Sequence, residues 1–224
     1  AASPDGKMIV YQVGYYSVKQ NKGHQVICVI DPNGKNPRQL TVSAKSETDP
    51  AWIDGGKHIA YLSSESGTNQ VWSMNPDGSN RKQLSNSKDD IEGFKFSPDG
   101  KHVILIKQIG YHDIIKENPS DLPKATGRVI TDLMYRHWDE YVETIPHPFL
   151  ADVKDDKITN ENDILKGEPF ECPMKPFGGI EQVEWNPNSK SIAYTCRKKT
   201  GRDYAISTDA DIYLYDIITK QTKN

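Results

Sequence analysis

Apolar residues occur along this chain in short runs, and each run is bounded by a polar turn containing Gly or Pro. Four of these runs follow a turn directly and are rich in β-branched and aromatic residues, which is typical of strands buried on both faces. They are Met8–Val13, His58–Leu62, His102–Ile106 and Ser191–Thr195. The pattern predicts many short strands joined by tight turns.

Two sequence phrases recur between these runs. The first is a Pro-Asp-Gly-Lys turn, in which Pro presets φ, Asp bonds its own backbone and Gly accepts a positive φ. It stands at Ser3–Lys7, Trp52–Lys57 and Ser97–Lys101, and in altered form at Asn186–Lys190. The second phrase begins at Asp31 and returns 44 residues later at Asn75. Two phrases at one such period predict an all-β fold, a β-propeller of four-stranded antiparallel blades.

The turn positions divide the chain into four blades. We expect them at residues 1–46, 47–90, 91–165 and 166–224, with the opening strand of the first blade missing. Blade three contains an excursion from about Lys107 to Pro146 that does not follow the repeat. Within it, Ser120–Pro123 reads as a helix start, and the apolar pairs Val129/Leu133 and Ile130/Met134 predict a short helix.

Composition and charge exclude several classes of function. The net charge is −3, and Lys and Arg are scattered among carboxylates, so we expect no nucleic-acid partner. No apolar stretch approaches the length of a membrane helix, so we expect no membrane partner. Three cysteines without a Cys-x-x-Cys spacing predict no metal site, and we expect no cofactor.

Histidines and serines are the candidate catalytic residue types in this chain. His58 and His102 occupy the same strand-start position of the repeat, which indicates a structural role. His137 and His147 lie in the excursion and stay open as candidates. The chain contains no Gly-x-Ser-x-Gly motif, so the sequence predicts no catalytic residue in this chain.

Part of the excursion resembles a known family. Residues Asp132–Tyr141, read as Asp-Leu-Met-Tyr-Arg-His-Trp-Asp-Glu-Tyr, are similar to a signature of the propeller in prolyl-oligopeptidase-family serine peptidases, in the acylaminoacyl-peptidase and dipeptidyl-peptidase five branch. Three later segments resemble the same branch in the same order. They are Pro173–Glu181, Ile192–Lys199 and Ser207–Asp216.

The resemblance implies a seven-bladed propeller that caps a C-terminal α/β-hydrolase domain carrying the catalytic Ser, Asp and His. This chain would hold four of the seven blades and lack the hydrolase domain, so alone it should be inactive. The parent protein would be a serine exopeptidase that cleaves short peptides near their N-terminus. Similar bacterial proteins are periplasmic, so the resemblance also implies the periplasm.

The candidate substrate-binding residues are Arg136, Trp138, Asp139 and Glu140. An exopeptidase must hold a free α-ammonium, and a carboxylate in a partly dry cavity does so by a charge-assisted hydrogen bond. In the related dipeptidyl-peptidase four branch an acidic pair on a propeller excursion has this role, and Asp139-Glu140 is similar in kind. The alternative is structural, with Arg136 paired to Asp139 and Trp138 acting as a packing anchor.

Two other functions fit the repeat. A non-catalytic TolB-like propeller would act as a periplasmic protein-binding platform, and the sequence downstream of the chain would discriminate it from a peptidase. A sugar lyase with a metal would need several inward-facing histidines, which this chain does not supply. Four of an expected seven blades leave two open edges, which should associate with the missing blades or with another copy of the chain, or aggregate.

Overall fold

A computed structural model describes residues 1–111, 114–115, 122–127, 129–130 and 142–224 of the chain. In these ranges almost all regular structure is β-strand, and the one α-helix, α1, spans Gly201–Ile206. The strands form four main sheets. The predicted all-β fold class is therefore confirmed, and the chain is a partial β-propeller.

The first two sheets are built from consecutive strands. Sheet one contains β1 (Ile9–Ser17), β2 (Lys22–Ile30) and β3 (Arg38–Gln39). Sheet two contains β4 (Glu47–Ile53), β5 (His58–Ser63), β6 (Gln70–Met74) and β7 (Lys82–Gln83). Both follow chain order. In sheet one, Ala2 makes an antiparallel bridge with Ile9, so residues near the N-terminus stand where sheet two has its first strand.

The next part of the chain contains a sheet interrupted by an excursion. Its strands are β8 (Ile91–Phe96), β9 (His102–Gly110), β10 (Ile114–Ile115), β11 (Val129–Ile130), β12 (Thr144–Lys154) and β13 (Lys157–Asp163). Sheet three has the order β8-β9-β12-β13, while β10 and β11 pair with each other in a separate two-stranded sheet. Sheet four then follows chain order. It contains β14 (Val183–Trp185), β15 (Ser191–Cys196), β16 (Asp211–Asp216) and β17 (Thr222–Lys223).

The helix predicted in the excursion is wrong at its described positions. Val129 and Ile130 form strand β11, which pairs antiparallel with Ile114 and Ile115. β-Branched residues favour extended backbone, and a second pair of isoleucines supplies the strand partner, so pairing prevails over the i, i+4 pattern. The other residues of the predicted helix core, Leu133 and Met134, lie outside the described residues.

Tight turns stand where the repeated phrase predicts them. The N–H of Gly6 donates to the carbonyl of Ser3, and the N–H of Gly100 donates to that of Ser97, both at 2.9 Å. The altered copy has the same turn, since the N–H of Ser189 donates to the carbonyl of Asn186 at 2.8 Å. Ser189 adopts φ +61° where the other copies have Gly, so the hairpin tolerates a non-glycine residue there.

The register between the second and third strands is the same in three blades. Ile9 pairs with Ile30, Ile59 pairs with Met74, and Ile192 pairs with Tyr215. These pairs establish structurally equivalent positions in blades one, two and four.

The chain divides into two compact units, of which the first comprises residues 1–105 and 150–161. In this unit blade one packs on blade two through a fully buried apolar cluster. It contains Val10, Ile27 and Val29 from blade one and Ile59, Tyr61 and Met74 from blade two. Burial of such side chains contributes about 1.5–3 kcal/mol each, so this face-to-face contact stabilises the packing of the two sheets.

The second unit comprises residues 106–149 and 162–224. In sheet four, Ile192, Tyr194, Tyr213 and Tyr215 are buried. The rings of Tyr194 and Tyr213, which pair across β15 and β16, stack at 5.4 Å between centroids. One face of this sheet is therefore an aromatic core.

Candidate functional site

The four predicted substrate-binding residues, Arg136, Trp138, Asp139 and Glu140, lie outside the described residues, as does His137. The structure does describe the two ends of the segment that carries them. Tyr111 and Val142 are buried in one apolar cluster with Ile145 and Tyr204. The N–H of Tyr111 also donates to the carbonyl of Glu143 at 3.0 Å. Both ends of the segment therefore start from one buried cluster of the second unit.

A buried carboxylate lies next to this cluster. Glu171 is 1% exposed, and its Oε1 accepts hydrogen bonds from the Tyr204 hydroxyl and, at 3.2 Å, from the N–H of Lys175. Tyr204 reaches Glu171 because α1 places it on the buried side of the connection between β15 and β16. A buried carboxylate is tolerated only where such donors satisfy it.

An arginine holds α1 in place. Nη1 of Arg197 donates to the carbonyl oxygens of Tyr204 and Ser207, both at 3.0 Å. Its guanidinium also lies 4.4 Å from the centroid of the Tyr204 ring, which is a cation–π contact. No local pattern pairs Tyr204 with Glu171, because the two residues are 33 positions apart. Arg197 is only seven residues from Tyr204, but that spacing carries no sequence signature of the contact.

His147, which the sequence left open, is fully buried on β12. Its Nδ1 contacts both carboxylate oxygens of Asp163 at 3.0 Å, and Oδ1 of Asp163 also accepts the N–H of Leu165 at 2.9 Å. Within the described ranges Nε2 of His147 has no hydrogen-bond partner, so no serine completes a catalytic triad with this pair. The His147–Asp163 pair therefore fastens β12 to the end of β13.

Two cysteines near Glu171 are buried, unpaired thiols. Cys172 and Cys196 are fully buried, and Sγ of Cys196 lies 3.5 Å from the carbonyl oxygen of Glu171. Burial raises the pKa of the Cys196 thiol to about 12 and raises the pKa of Cys172 as well. Because the thiolate is the reactive form, burial disfavours the reactivity of both thiols.

The described residues contain no group of three His, Cys, Asp or Glu side chains placed to hold a metal ion. No helix in the described part of the chain is long and apolar enough to cross a membrane. What these ranges do provide is a buried, hydrogen-bonded cluster that contains Tyr111 and Val142.

The chain is similar in sequence and in fold to several known proteins. The chain is 50% identical over its whole length to Dipeptidyl-peptidase 5 of Porphyromonas gingivalis, of which it covers 33%. The acylaminoacyl peptidase of Pyrococcus horikoshii superposes with a TM-score of 0.62 at 13% identity, over 97% of this chain and 30% of that one. TolB from Acinetobacter baumannii superposes with a TM-score of 0.55 at 18% identity, over 98% of this chain and 41% of that one.

The first of these relatives confirms the resemblance to the dipeptidyl-peptidase five branch, whereas the two solved structures support the fold alone. The chain spans about a third of the length of the Porphyromonas gingivalis relative. The sequence profile described as the TolB beta propeller domain matches residues 1–137, which is more than half of the chain. Together with the four sheets, this match shows that the chain belongs to the TolB β-propeller domain family.

Proposed function

We propose that this chain is the lid and substrate-gating propeller of a serine exopeptidase that removes short units from peptide N-termini. The observation that carries the proposal is the 50% identity to Dipeptidyl-peptidase 5 of Porphyromonas gingivalis along the entire chain. The catalytic Ser, Asp and His belong to a C-terminal α/β-hydrolase domain of the parent protein, so residues 1–224 alone are inactive. A propeller lid admits short peptides, limits water and fixes their register on the serine.

The propeller has seven blades in this proposal, four of them at residues 1–46, 47–90, 91–165 and 166–224. The open face of blade four supports it. Ile212 and Leu214 are 69% and 45% exposed, whereas the equivalent residues of blade one, Ile27 and Val29, are buried against blade two. A further blade covers this face in the parent protein. Without that blade, the isolated chain self-associates. Size-exclusion chromatography of residues 1–224 tests this, because a monomeric elution volume would contradict it.

In the parent enzyme Asp139 or Glu140 binds the substrate ammonium, with Arg136 and Trp138 beside them. Support comes from the two residues that flank this segment. Tyr111 and Val142 are buried in one apolar cluster together with Tyr204. Substrate alignment requires that a binding group be held in place. Exopeptidase specificity would follow from the fixed distance between this carboxylate and the serine.

The test uses the full-length protein with Asp139→Ala and Glu140→Ala, compared on a dipeptidyl substrate and its N-acylated counterpart. Loss of an ammonium-binding carboxylate lowers kcat/KM for the free-amine substrate and leaves the acylated one unaffected. Asp89→Ala, which removes an exposed carboxylate of blade two, is the matched control. If both variants still distinguish the free-amine substrate from its N-acylated counterpart as the wild type does, the proposed role of Asp139 and Glu140 is wrong.

A second candidate function is a non-catalytic platform, and the match to the TolB propeller domain favours it. The peptidase and the platform are distinguished by the sequence that the parent gene encodes downstream of residue 224. A Gly-x-Ser-x-Gly motif followed by Asp and His in the full-length sequence would support the peptidase. Replacing the Ser of that motif by Ala should then abolish hydrolysis. We place the parent protein in the periplasm, and cell fractionation of the full-length protein checks that location.

A further inference from the structure

A turn of blade one contains Asn33-Gly34, the only Asn-Gly dipeptide in the chain. The turn joins β2 to β3, and every residue from Pro32 to Gln39 is exposed. Asn is a thermally labile residue type, because the backbone nitrogen that follows it can attack its side-chain amide. Glycine in the following position favours this attack, since it has no Cβ to obstruct a close approach. The dipeptide therefore has the chemistry of a modification site.

Hydrogen bonds hold this turn closed. The N–H of Gly34 donates to the carbonyl of Asp31 at 2.9 Å, so the nitrogen that would attack is engaged. Oδ1 of Asn33 accepts the N–H of Lys35 at 2.9 Å, and Nδ2 of Asn36 donates to Oδ2 of Asp31 at 2.8 Å. An exposed turn of this kind opens locally at far lower cost than the whole protein unfolds. The attack therefore requires opening of the turn but not global unfolding.

Blade two has an aspartate at the equivalent position. Its turn reads Asn75-Pro76-Asp77-Gly78, and the N–H of Gly78 donates to the carbonyl of Asn75 at 2.9 Å, as in blade one. Oδ1 of Asp77 accepts the N–H of Ser79 at 2.9 Å, which repeats the bond made by the asparagine amide in blade one. Hydrogen bonds from Ser79 lower the pKa of Asp77, so the turn favours an ionised carboxylate. An aspartate at position 33 would therefore fit the turn of blade one.

Contact with a neighbouring blade leaves this position of the turn accessible. A Cβ built on Gly78 would lie 2.9 Å from the carbonyl oxygen of Leu40, so the turn of blade two packs closely on blade one. Asp77 is nevertheless exposed. Asn33 therefore stays accessible to water even when a further blade packs against its turn in the parent protein.

We propose that Asn33 is a site of spontaneous deamidation, which follows opening of its turn. The backbone nitrogen of Gly34 gives its proton to a base in the solvent and attacks Cγ of Asn33. The new C–N bond closes a succinimide ring, the bond from Cγ to the amide nitrogen breaks, and that nitrogen takes a proton from water and leaves as ammonia. Water then opens the ring at either carbonyl, which gives aspartate or isoaspartate at position 33.

The two products should affect blade one differently. An aspartate adds a negative charge to an exposed turn and keeps the acceptor for the N–H of Lys35, as Asp77 does in blade two. An isoaspartate directs the main chain through the side-chain methylene, which lengthens the turn. We expect the isoaspartate form to weaken the short pairing of β2 with β3, in which Val29 pairs with Arg38.

Blade four offers a matched control. Asn188 is exposed, and its Oδ1 accepts the N–H of Lys190 at 2.9 Å. The N–H of Ser189 donates to the carbonyl of Asn186 at 2.8 Å, so the hydrogen bonds around Asn188 are those around Asn33. Ser189 has a Cβ, however, and is only 5% exposed, which hinders attack by its nitrogen.

The test follows the folded, full-length protein in a mildly alkaline buffer over time. Proteolysis and peptide mass spectrometry measure the modified fraction at each asparagine, and an isoaspartate methyltransferase assay reports the second product. We expect deamidation at Asn33 to be at least about tenfold faster than at Asn188, because glycine leaves the attacking nitrogen unobstructed. A synthetic peptide of residues 28–38 should react faster than the folded protein, since it has no closed turn.

Equal rates at Asn33 and Asn188 would overturn the proposal, as would modification of Asn33 only after the protein is unfolded. A rate in the folded protein equal to that of the peptide would show that the turn does not control the reaction. Asn33→Asp should unfold at the temperature of the wild type, and a marked loss of stability would contradict the equivalence with Asp77. These measurements need no substrate, so their outcome is independent of the proposed function.

Discussion

Gly56 and Pro4 bring two copies of the repeated turn into direct contact. A Cβ built on Gly56 would lie 2.9 Å from Cδ of Pro4, and Gly56 has φ +91°. The neighbouring Gly55 also has a positive φ, +65°, but nothing lies within 4 Å of its Cβ position. Gly56 is thus required both by its backbone conformation and by its closeness to the turn of blade one.

This pair gives a first prediction. Gly55→Ala should destabilise the protein by about 1 kcal/mol, the cost of a left-handed backbone with a Cβ. Gly56→Ala should cost about 1–3 kcal/mol more, because the added methyl group overlaps the rigid Pro4 ring. Denaturant unfolding of the two variants measures the difference. Equal losses would show that the contact between the two turns carries no strain.

A buried hydroxyl supports the third strand of blade two. The N–H of Val71 donates to Oγ of Ser85 at 2.8 Å, and the hydroxyl donates to Oε1 of Gln70 at 2.7 Å. In blade one the N–H of Ile27 donates to Oγ1 of Thr41 in the same way at 2.9 Å. Ser85→Ala should therefore cost about 1–3 kcal/mol, since it leaves a buried N–H without its acceptor.

Ser85→Thr is the matched variant, because Thr41 already holds this position in blade one. It keeps the hydroxyl and should lose less stability than Ser85→Ala in thermal or chemical unfolding. A larger loss for Thr than for Ala would contradict the assigned hydrogen bond.

Arg81 neutralises a buried carboxylate in blade two. Its Nη2 contacts Oε1 of Glu47 at 3.0 Å and Oε2 of Glu65 at 2.9 Å, while Nε donates to the Tyr61 hydroxyl at 2.9 Å. Glu47 is fully buried, whereas the Glu65 side chain is 31% exposed. Arg81→Met should lower the free energy of unfolding by about 3–5 kcal/mol, because it leaves the buried Glu47 carboxylate without a compensating charge.

Adding Glu47→Gln to Arg81→Met should recover part of that loss, since the amide carries no charge. Glu65→Gln alone is the control and should change stability by less than about 1 kcal/mol. Urea unfolding of the single and double variants measures the coupling. Failure of the double variant to recover stability would show that the buried charge is not the cause.

The turn carboxylate Asp99 should make stability depend on pH. The Ser97 hydroxyl, which donates to Oδ1 of Asp99 at 2.7 Å, is the main cause that lowers the pKa of Asp99, and the N–H of Lys101 adds to it. A lowered folded-state pKa stabilises the protein above the unfolded-state pKa of about 3.9. That contribution disappears as the pH falls through the folded-state pKa.

The difference in unfolding free energy between wild type and Asp99→Asn should therefore be largest near pH 6 and shrink below about pH 4. Ser97→Ala should show the same trend, because it removes the main hydrogen bond to the carboxylate. Unfolding curves measured at several pH values test both variants. A difference that stays constant down to pH 2.5 would exclude Asp99 as the titrating group.

Much of the fold is readable from the sequence, because its determinants are local. The turns at Ser3–Lys7 and Ser97–Lys101 depend on the conformational preferences of Pro, Asp and Gly, which act within four residues. Even the altered turn at Asn186–Lys190 was recognisable, since Ser189 accepts the same positive φ. The strands that follow these turns are recognisable by their β-branched and aromatic composition.

Only the tertiary structure decided which distant side chains meet. Tyr204 and Glu171 are 33 residues apart, and His147 and Asp163 are 16 apart, so no local pattern could pair them. Val129 and Ile130 carry helical spacing in the sequence, yet a partner strand at Ile114–Ile115 makes them a strand. The exposure of Ile212, beside the burial of its equivalent Ile27, likewise depends on whether another sheet covers that face. Local preferences are set by each residue and its near neighbours, whereas burial and pairing depend on what the rest of the chain brings into contact.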